Sequence, residues 1–325
     1  MATAEQLKAL MRSHLERDDE RFFAVALQVA AGAARVGHHK LADDIKDLAS
    51  QSKKKPVLSP VGGMAAFVRQ PTGDLGGLLE MSVPAIGASE IVLSEEVGER
   101  LHKVILEQRQ KDKLQRYGLL PRRKLLFTGP PGTGKTMAAS MLACELKLPL
   151  YTILLDGLIT RYMGETASKL RLIFDHIKQT RAVYLFDEFD AIGTQRGATN
   201  DVGEIRRVLN SFLIFAEQDD SESLIVAATN HPELLDRALH RRFDDIINFD
   251  RPNAYRIGRI VENRLAAFDM SSLDLVSILP KAEGLSCAEV VRACEDAAKE
   301  AVLHNDSNLS TTLLLKAIGD RQNVK

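Results

Sequence analysis

Residues 129–136 read GPPGTGKT, bounded by the apolar run KLLF at 124–127 and by the helical pattern MAASMLACEL at 137–146. Glycines in a strand-to-helix turn let backbone N–H groups converge on one point, and the helix that follows adds partial positive charge. The chemistry expected is the cradling of a polyphosphate. Gly129, Pro130, Pro131, Gly132, Thr133 and Gly134 supply the loop, and Met137 follows at the head of the helix. Lys135 is expected to meet the β- and γ-phosphates, and Thr136 to ligate Mg²⁺. A Gly-Pro turn before a helix is the plainer alternative, but it does not account for the full motif with both flanking elements.

A second apolar run, AVYLFDE at 182–188, ends in two carboxylates. Side chains at the carboxyl ends of parallel strands face the ligand crevice. Asp187 can hold Mg²⁺ through water, and Glu188 is placed to orient or deprotonate the water that attacks the γ-phosphate, which argues for hydrolysis. Alone, Asp-Glu after an apolar run is usually a solvated strand end; its position after the phosphate loop reverses that reading.

These residues need a frame. From about Ile91 to Asp250, short apolar runs (KLLFTG, AVYLFDE, SLIVAATN) alternate with longer helical patterns, the signature of a parallel sheet covered on both faces. After Arg251, apolar residues at Ile257, Ile260, Val261 and Leu265, then Val290, Val291 and Ala298, mark amphipathic helices. Residues 4–50 carry apolar residues at helical spacing, while the stretch from Ser52 opens on three lysines and is broken by prolines and glycines, which predicts an extended linker. The expected organisation is a helical N-terminal module over 1–51, a linker over 52–82, an α/β nucleotide-binding subdomain over 83–250 and an all-helical lid over 251–325.

Composition excludes several classes. The 325 residues are 45% hydrophobic, enough for a sizeable core. Forty-three basic residues nearly cancel forty-four acidic ones, so no net field favours nucleic acid or an anionic membrane. Cys144, Cys287 and Cys294 are too few and too scattered for a disulfide framework or a zinc site, and they fit a reducing compartment. No stretch approaches the roughly 20 apolar residues of a membrane span, and the opening MATAEQLKAL has no signal-peptide pattern, so a cytoplasmic protein is expected.

The run SLIVAATN at 223–230 is followed by HPELLDRALHRRFDD, and with the earlier motifs in this order the chain resembles the AAA family of ATPases, within the AAA+ superfamily, over roughly residues 85–322. The resemblance implies that Asn230 polarises the attacking water and that Arg241 and Arg242 are arginine fingers for a neighbouring subunit's ATP. Their pairing is similar to that of the katanin- and spastin-like remodellers, while Asp245 stands where the proteasomal and membrane-protease relatives have arginine. The lid stretch GLSCAEVVRACEDA resembles the family's nucleotide-touching Gly-Ala pair, with Cys287 in place of glycine and Ala288 retained. Ile91 and Val92 are the implied walls of the adenine pocket, and Asn263 stands where many relatives place a histidine near the base.

Residues 161–170, RYMGETASKL, fall where the family has its first pore loop, and Tyr162, Met163 and Gly164 match its aromatic–hydrophobic–glycine pattern. Burial of Tyr162 in a core is the competing reading. The stretch 193–204 suits a second pore loop, with Arg196 a candidate contact. The resemblance implies a homohexamer that uses ATP and Mg²⁺ to thread a protein substrate through a central pore. The N-terminal helices are candidates for docking an adaptor or a separate protease, since no His-Glu-x-x-His zinc signature follows the lid. The alternatives are a non-processive activator of one protein partner and, less favoured, a nucleic-acid motor or loader.

Overall fold

The computed structural model describes residues 73–158, 165–189, 201–234, 241–271, 273–304 and 309–322, with backbone alone for 201–208 and 234. The helical module expected over 1–51 therefore lies outside the described residues. The strands are β1 (Leu79–Ser82), β2 (Lys124–Thr128), β3 (Leu150–Ile153), β4 (Val183–Phe186), β5 (Leu224–Thr229) and β6 (Asp245–Asn248). The helices are α1 (Glu95–Arg109), α2 (Lys111–Gln115), α3 (Lys135–Leu146), α4 (Leu155–Leu158), α5 (Glu165–Gln179), α6 (Asp201–Gln218), α7 (Ala254–Arg264), α8 (Leu275–Ala282), α9 (Cys287–His304) and α10 (Thr311–Gln322).

One sheet orders the strands β1-β3-β4-β5-β2-β6, with β1 antiparallel to β3 and every other pair parallel. β4 and β5 are buried along their whole length because helices cover both faces, and so they read as unbroken apolar runs. Leu125, Phe127, Val183, Leu185 and Val226 pack with α1 and α3 on one face. On the other, Phe186 meets Phe174 of α5 and Phe212 of α6.

β1 is an antiparallel edge on an otherwise parallel sheet, and it occupies the last four residues of the stretch expected as a linker, 52–82. Leu78 and Leu79 are buried, and four residues pair from Leu79 against Ile153 to Ser82 against Leu150. A four-residue edge strand behind three glycines carries too little alternation to stand out in the sequence. At the opposite edge, Asp245 opens β6 and is only 8% exposed, yet it is paired: Arg100 Nη2 donates to one carboxylate oxygen at 2.7 Å and Arg122 Nη1 to the other at 2.9 Å. Arg122 also pairs with Glu107 at 2.9 Å. Asp245 is thus the junction of a charge network tying β6 to α1.

At the amino ends of β3 and β4, two tyrosines lie in the interior. Tyr151 and Tyr184 stack with ring centroids 5.2 Å apart, and His176 meets Tyr151 edge-on at 5.0 Å. Tyr184 Oη lies 2.7 Å from His176 Nδ1 and donates to the Thr180 carbonyl at 3.0 Å, while Ser223 Oγ is 3.1 Å from the carbonyls of Ile177 and Thr180. These side chains satisfy the orphan carbonyls at the end of α5. Burial raises the pKa of both tyrosines and lowers that of His176, which keeps the cluster uncharged.

Helices α7 to α10 enclose a second core around Ile257, Val261, Leu285, Val290, Ala297 and Leu314. Asn253 caps α7 by accepting from Arg256 N–H at 3.0 Å, and Asp274 caps α8 by accepting from Val276 N–H at 3.1 Å. Ser286 and Glu289 cap α9 reciprocally, each side chain accepting from the other residue's backbone N–H. Burial pushes the Cys287 thiol up and that of Cys294 up to about 12, so both act as small packing groups. No helix among the described residues is long and apolar enough to cross a membrane.

Candidate active site

β5 pairs with β2 on one side and with β4 on the other, so Gly129, Asn230 and Asp187 leave the three strands side by side. Lys135, 7% exposed at the head of α3, points back under the loop. Its ammonium donates to the carbonyls of Gly129 at 2.7 Å and Pro130 at 2.8 Å, and to Asn230 Oδ1 at 2.8 Å. Thr136 Oγ1 donates to Asp187 Oδ2 at 2.6 Å. A hydroxyl and a carboxylate brought to one point are oxygen donors of the kind a hard divalent cation takes. Thr133 Oγ1 braces the turn by donating to the Pro130 carbonyl at 2.8 Å.

Two glycines are required by close approach. A Cβ on Gly129, whose φ is 137°, would overlap the Phe249 carbonyl oxygen. One on Gly132, at φ 73°, would meet Ser286 Oγ at 2.7 Å and Ala288 Cβ at 3.1 Å. The lid leans on the loop at this point, and Ala288 N–H donates to the Gly132 carbonyl at 3.0 Å. By contrast, a Cβ on Gly134 would meet nothing within 4 Å, which leaves a cradle at the head of α3 that phosphate oxygens fit. Gly132→Ala combines left-handed strain of about 1–3 kcal/mol with displacement of the lid turn. ATP affinity in a titration is expected to fall about tenfold or more, and the strain should lower the melting temperature by roughly 2–4 °C per kcal/mol; unchanged affinity would show that the loop–lid contact is dispensable.

Glu188 is exposed and has a φ of 49°, in the left-handed region that an L-residue adopts at a cost. Both neighbours hold it there. Asp187 Oδ1 accepts the Glu188 N–H at 2.9 Å, while Phe189 donates its N–H to the Ala228 carbonyl at 2.8 Å and buries its ring completely. Sequence reasoning missed Phe189, because a lone aromatic after two carboxylates carries no periodic signal. It also missed Arg251 and Arg256, which tie the hinge between sheet and lid through Arg251 Nη1 to the Gly284 carbonyl at 2.6 Å and Arg256 Nη2 to the Arg251 carbonyl.

Among the adenine-wall candidates, Ile91 packs against the sheet core and Val92 against the lid core, so the pair straddles the two subdomains. Met137 is 41% exposed beside Thr136, and Asn263 is exposed on α7. Arg241 and Arg242 are not brought to the crevice. They enter β6 from its amino end, where Asp244 N–H donates to the Lys124 carbonyl at the start of β2, a strand length of about 15 Å from Gly129. Arg242 is half-buried and pairs with Glu217 of α6 at 3.4 Å, whereas Arg241 is exposed. Tyr162, Met163, Gly164 and Arg196 lie outside the described residues.

The profile of the "ATPase family associated with various cellular activities (AAA)" matches residues 125–251, which run from β2 through β6. An uncharacterized AAA family ATPase of Sinorhizobium fredii, y4kL, is 34% identical over 324 residues, 98% of this chain and 96% of that protein. The ATP-dependent zinc metalloprotease FtsH 1 of Sphaerobacter thermophilus is 32% identical over 243 residues, 72% of this chain but 37% of that protein. The ATPase family protein 2 homolog of Caenorhabditis elegans is 32% identical over 241 residues, 72% of this chain and 33% of that protein. The phosphate loop, the carboxylate pair and the asparagine that touches the loop lysine therefore sit in a chain that belongs to the AAA family of ATPases.

Proposed function

We propose that this ATPase is Mg²⁺-dependent, assembles as a closed homohexameric ring and uses hydrolysis to draw a protein substrate through the central channel. Lys135 holds the β- and γ-phosphates, having exchanged its carbonyl partners for phosphate oxygens. Thr136 and Asp187 would hold Mg²⁺, which when bound neutralises developing phosphate charge. Glu188 accepts the proton of the attacking water, and Asn230, already in contact with Lys135, orients that water. The observation that carries the ring is the placement of Arg241 and Arg242 at the far end of the strands from Lys135. Side chains there are free of their own subunit's phosphate crevice and can serve a second copy's nucleotide, and a repeated head-to-tail contact whose rotation closes gives a ring.

The relatives named as zinc metalloproteases support a protein as the substrate class, although this chain spans only about a third of their length. A separate protease or an adaptor, docked through residues 1–51, is the partner class we assign, in the cytoplasm. Tyr162 tests the pulling reading. If Tyr162, Met163 and Gly164 grip the substrate, Tyr162→Ala leaves ring mass, melting temperature and basal ATPase near parental values, while substrate-stimulated ATPase and client unfolding fall together by about tenfold or more. Tyr162→Phe retains most of both, because the ring and not the hydroxyl makes the contact. A stable alanine ring that still unfolds client at the parental rate would remove the grip. A ring destabilised by roughly 3–5 kcal/mol would return Tyr162 to a core.

A further inference from the structure

Three phenylalanine rings on the α5–α6 face of the sheet join its two ends. Phe189, directly after Glu188, is fully buried, and its ring centroid lies 4.7 Å from that of Phe212 on α6. Phe212 in turn lies 6.5 Å from Phe243, directly after Arg242. The same helix carries Glu217, whose carboxylate pairs with Arg242 at 3.4 Å. One helix thus holds the turn bearing the carboxylate at the carboxyl end of the strands and the segment bearing the two arginines at the amino end.

Phe212 is the member common to both contacts. It is 1% exposed and is hemmed in on other sides by Phe186 at 5.0 Å and Phe174 at 5.8 Å. At interior packing density such a ring has no void to retreat into, so a displacement of Phe189 or of Phe243 must be met by the other or by α6 as a whole. Glu188 depends on this support, because its left-handed backbone persists only while the residues around it hold it there. Sequence separation hides the arrangement: 23 positions divide Phe189 from Phe212, and 31 divide Phe212 from Phe243.

We propose that Phe212 is a shared positioning residue, holding at once the Glu188 turn that serves its own subunit's nucleotide and the Arg241–Arg242 segment that serves the neighbour's. The second half rests on the ring proposed above. Phe212 packs on the α5–α6 face of the sheet, outside the core that the phosphate-loop helix α3 shares with α1. Its truncation should therefore lower kcat while leaving KM for ATP within about twofold, the pattern of an interaction realised in the transition state.

The test uses mixed rings of the full chain. In the parent mixture, Lys135→Ala subunits supply arginines without a working site, and Arg241→Ala/Arg242→Ala subunits supply a working site without arginines. Hydrolysis then arises only where the two kinds meet. Phe212→Ala is placed on one kind and then on the other, with ring mass and melting temperature checked on each preparation. Shared positioning predicts a loss of up to about a hundredfold in either placement, the scale of a misplacement near 1 Å. Where Phe212→Ala does not assemble, Phe212→Leu keeps most of the volume, and a smaller loss, roughly tenfold or less, is expected in both placements. A loss in only one placement, in neither, or through KM alone would overturn the proposal. A parent mixture that recovers no hydrolysis would overturn action in trans and this proposal with it.

Discussion

Purified Glu188→Gln protein will bind ATP with parental affinity, within about threefold, and hydrolyse it roughly a hundred to ten thousand times more slowly. The amide keeps the size and shape of the carboxylate and places no new atom against Asp187 or Phe189, so the left-handed turn persists. What is lost is the basic oxygen proposed to take the proton of the attacking water. Thr136, Asp187 and Lys135, the proposed holders of Mg²⁺ and the phosphates, are untouched, and so ATP binding is expected to survive. Single-turnover hydrolysis beside an equilibrium ATP titration separates the two quantities. Turnover within a few fold of the parent would remove Glu188 from the chemistry, whereas loss of both affinity and turnover would assign it to binding.

The second large effect concerns the proposed supply of Arg241 and Arg242 to a neighbouring subunit's nucleotide. Arg241→Ala combined with Arg242→Ala should leave ATP binding intact and reduce hydrolysis by about a thousandfold or more, the scale of an arginine supplied to a phosphoryl transition state. Mixing with Lys135→Ala subunits should restore part of the activity; verified mixed rings without any recovery would count against action between subunits. The two arginines are not equivalent in this fold. Arg242 is half-buried against Glu217, while Arg241 is exposed. The single Arg241→Ala change is therefore expected to cost more than Arg242→Ala, whose loss acts through the position of its neighbour.

The central strands were legible because burial on both faces leaves a continuous apolar run, and Gly129 and Asp187 follow at their carboxyl ends; Asn230 was singled out through the family resemblance. The contact between Lys135 and Asn230, 95 positions apart, rests on the β2–β5 pairing, an order that the apolar runs alone do not give. The edges were not legible. β1 and β6 are four residues each, one behind glycines and the other opening on an aspartate, so neither presents a period. Asp245 shows the limit clearly: its pairing with Arg100 and Arg122 joins residues 145 and 123 positions away, which no local pattern encodes. Phe189 and Phe212 escape for the same reason, since an aromatic residue in a core looks like any other until its neighbours are known.

The stacked tyrosines at the amino ends of β3 and β4 give the molecule a built-in optical reporter. The chain has no tryptophan and only five tyrosines. Tyr151 and Tyr184 lie within the sheet, and Tyr117 and Tyr255 face water. The lid contributes only Tyr255 among the tyrosines, and none to its own core. Near-ultraviolet ellipticity and tyrosine emission consequently follow the melting of the sheet and are nearly blind to the lid, whereas far-ultraviolet ellipticity follows the helices of both. Superimposed transitions from these probes would mean that the two cores melt as one cooperative unit, and a gap between them would give the lid a melting temperature of its own.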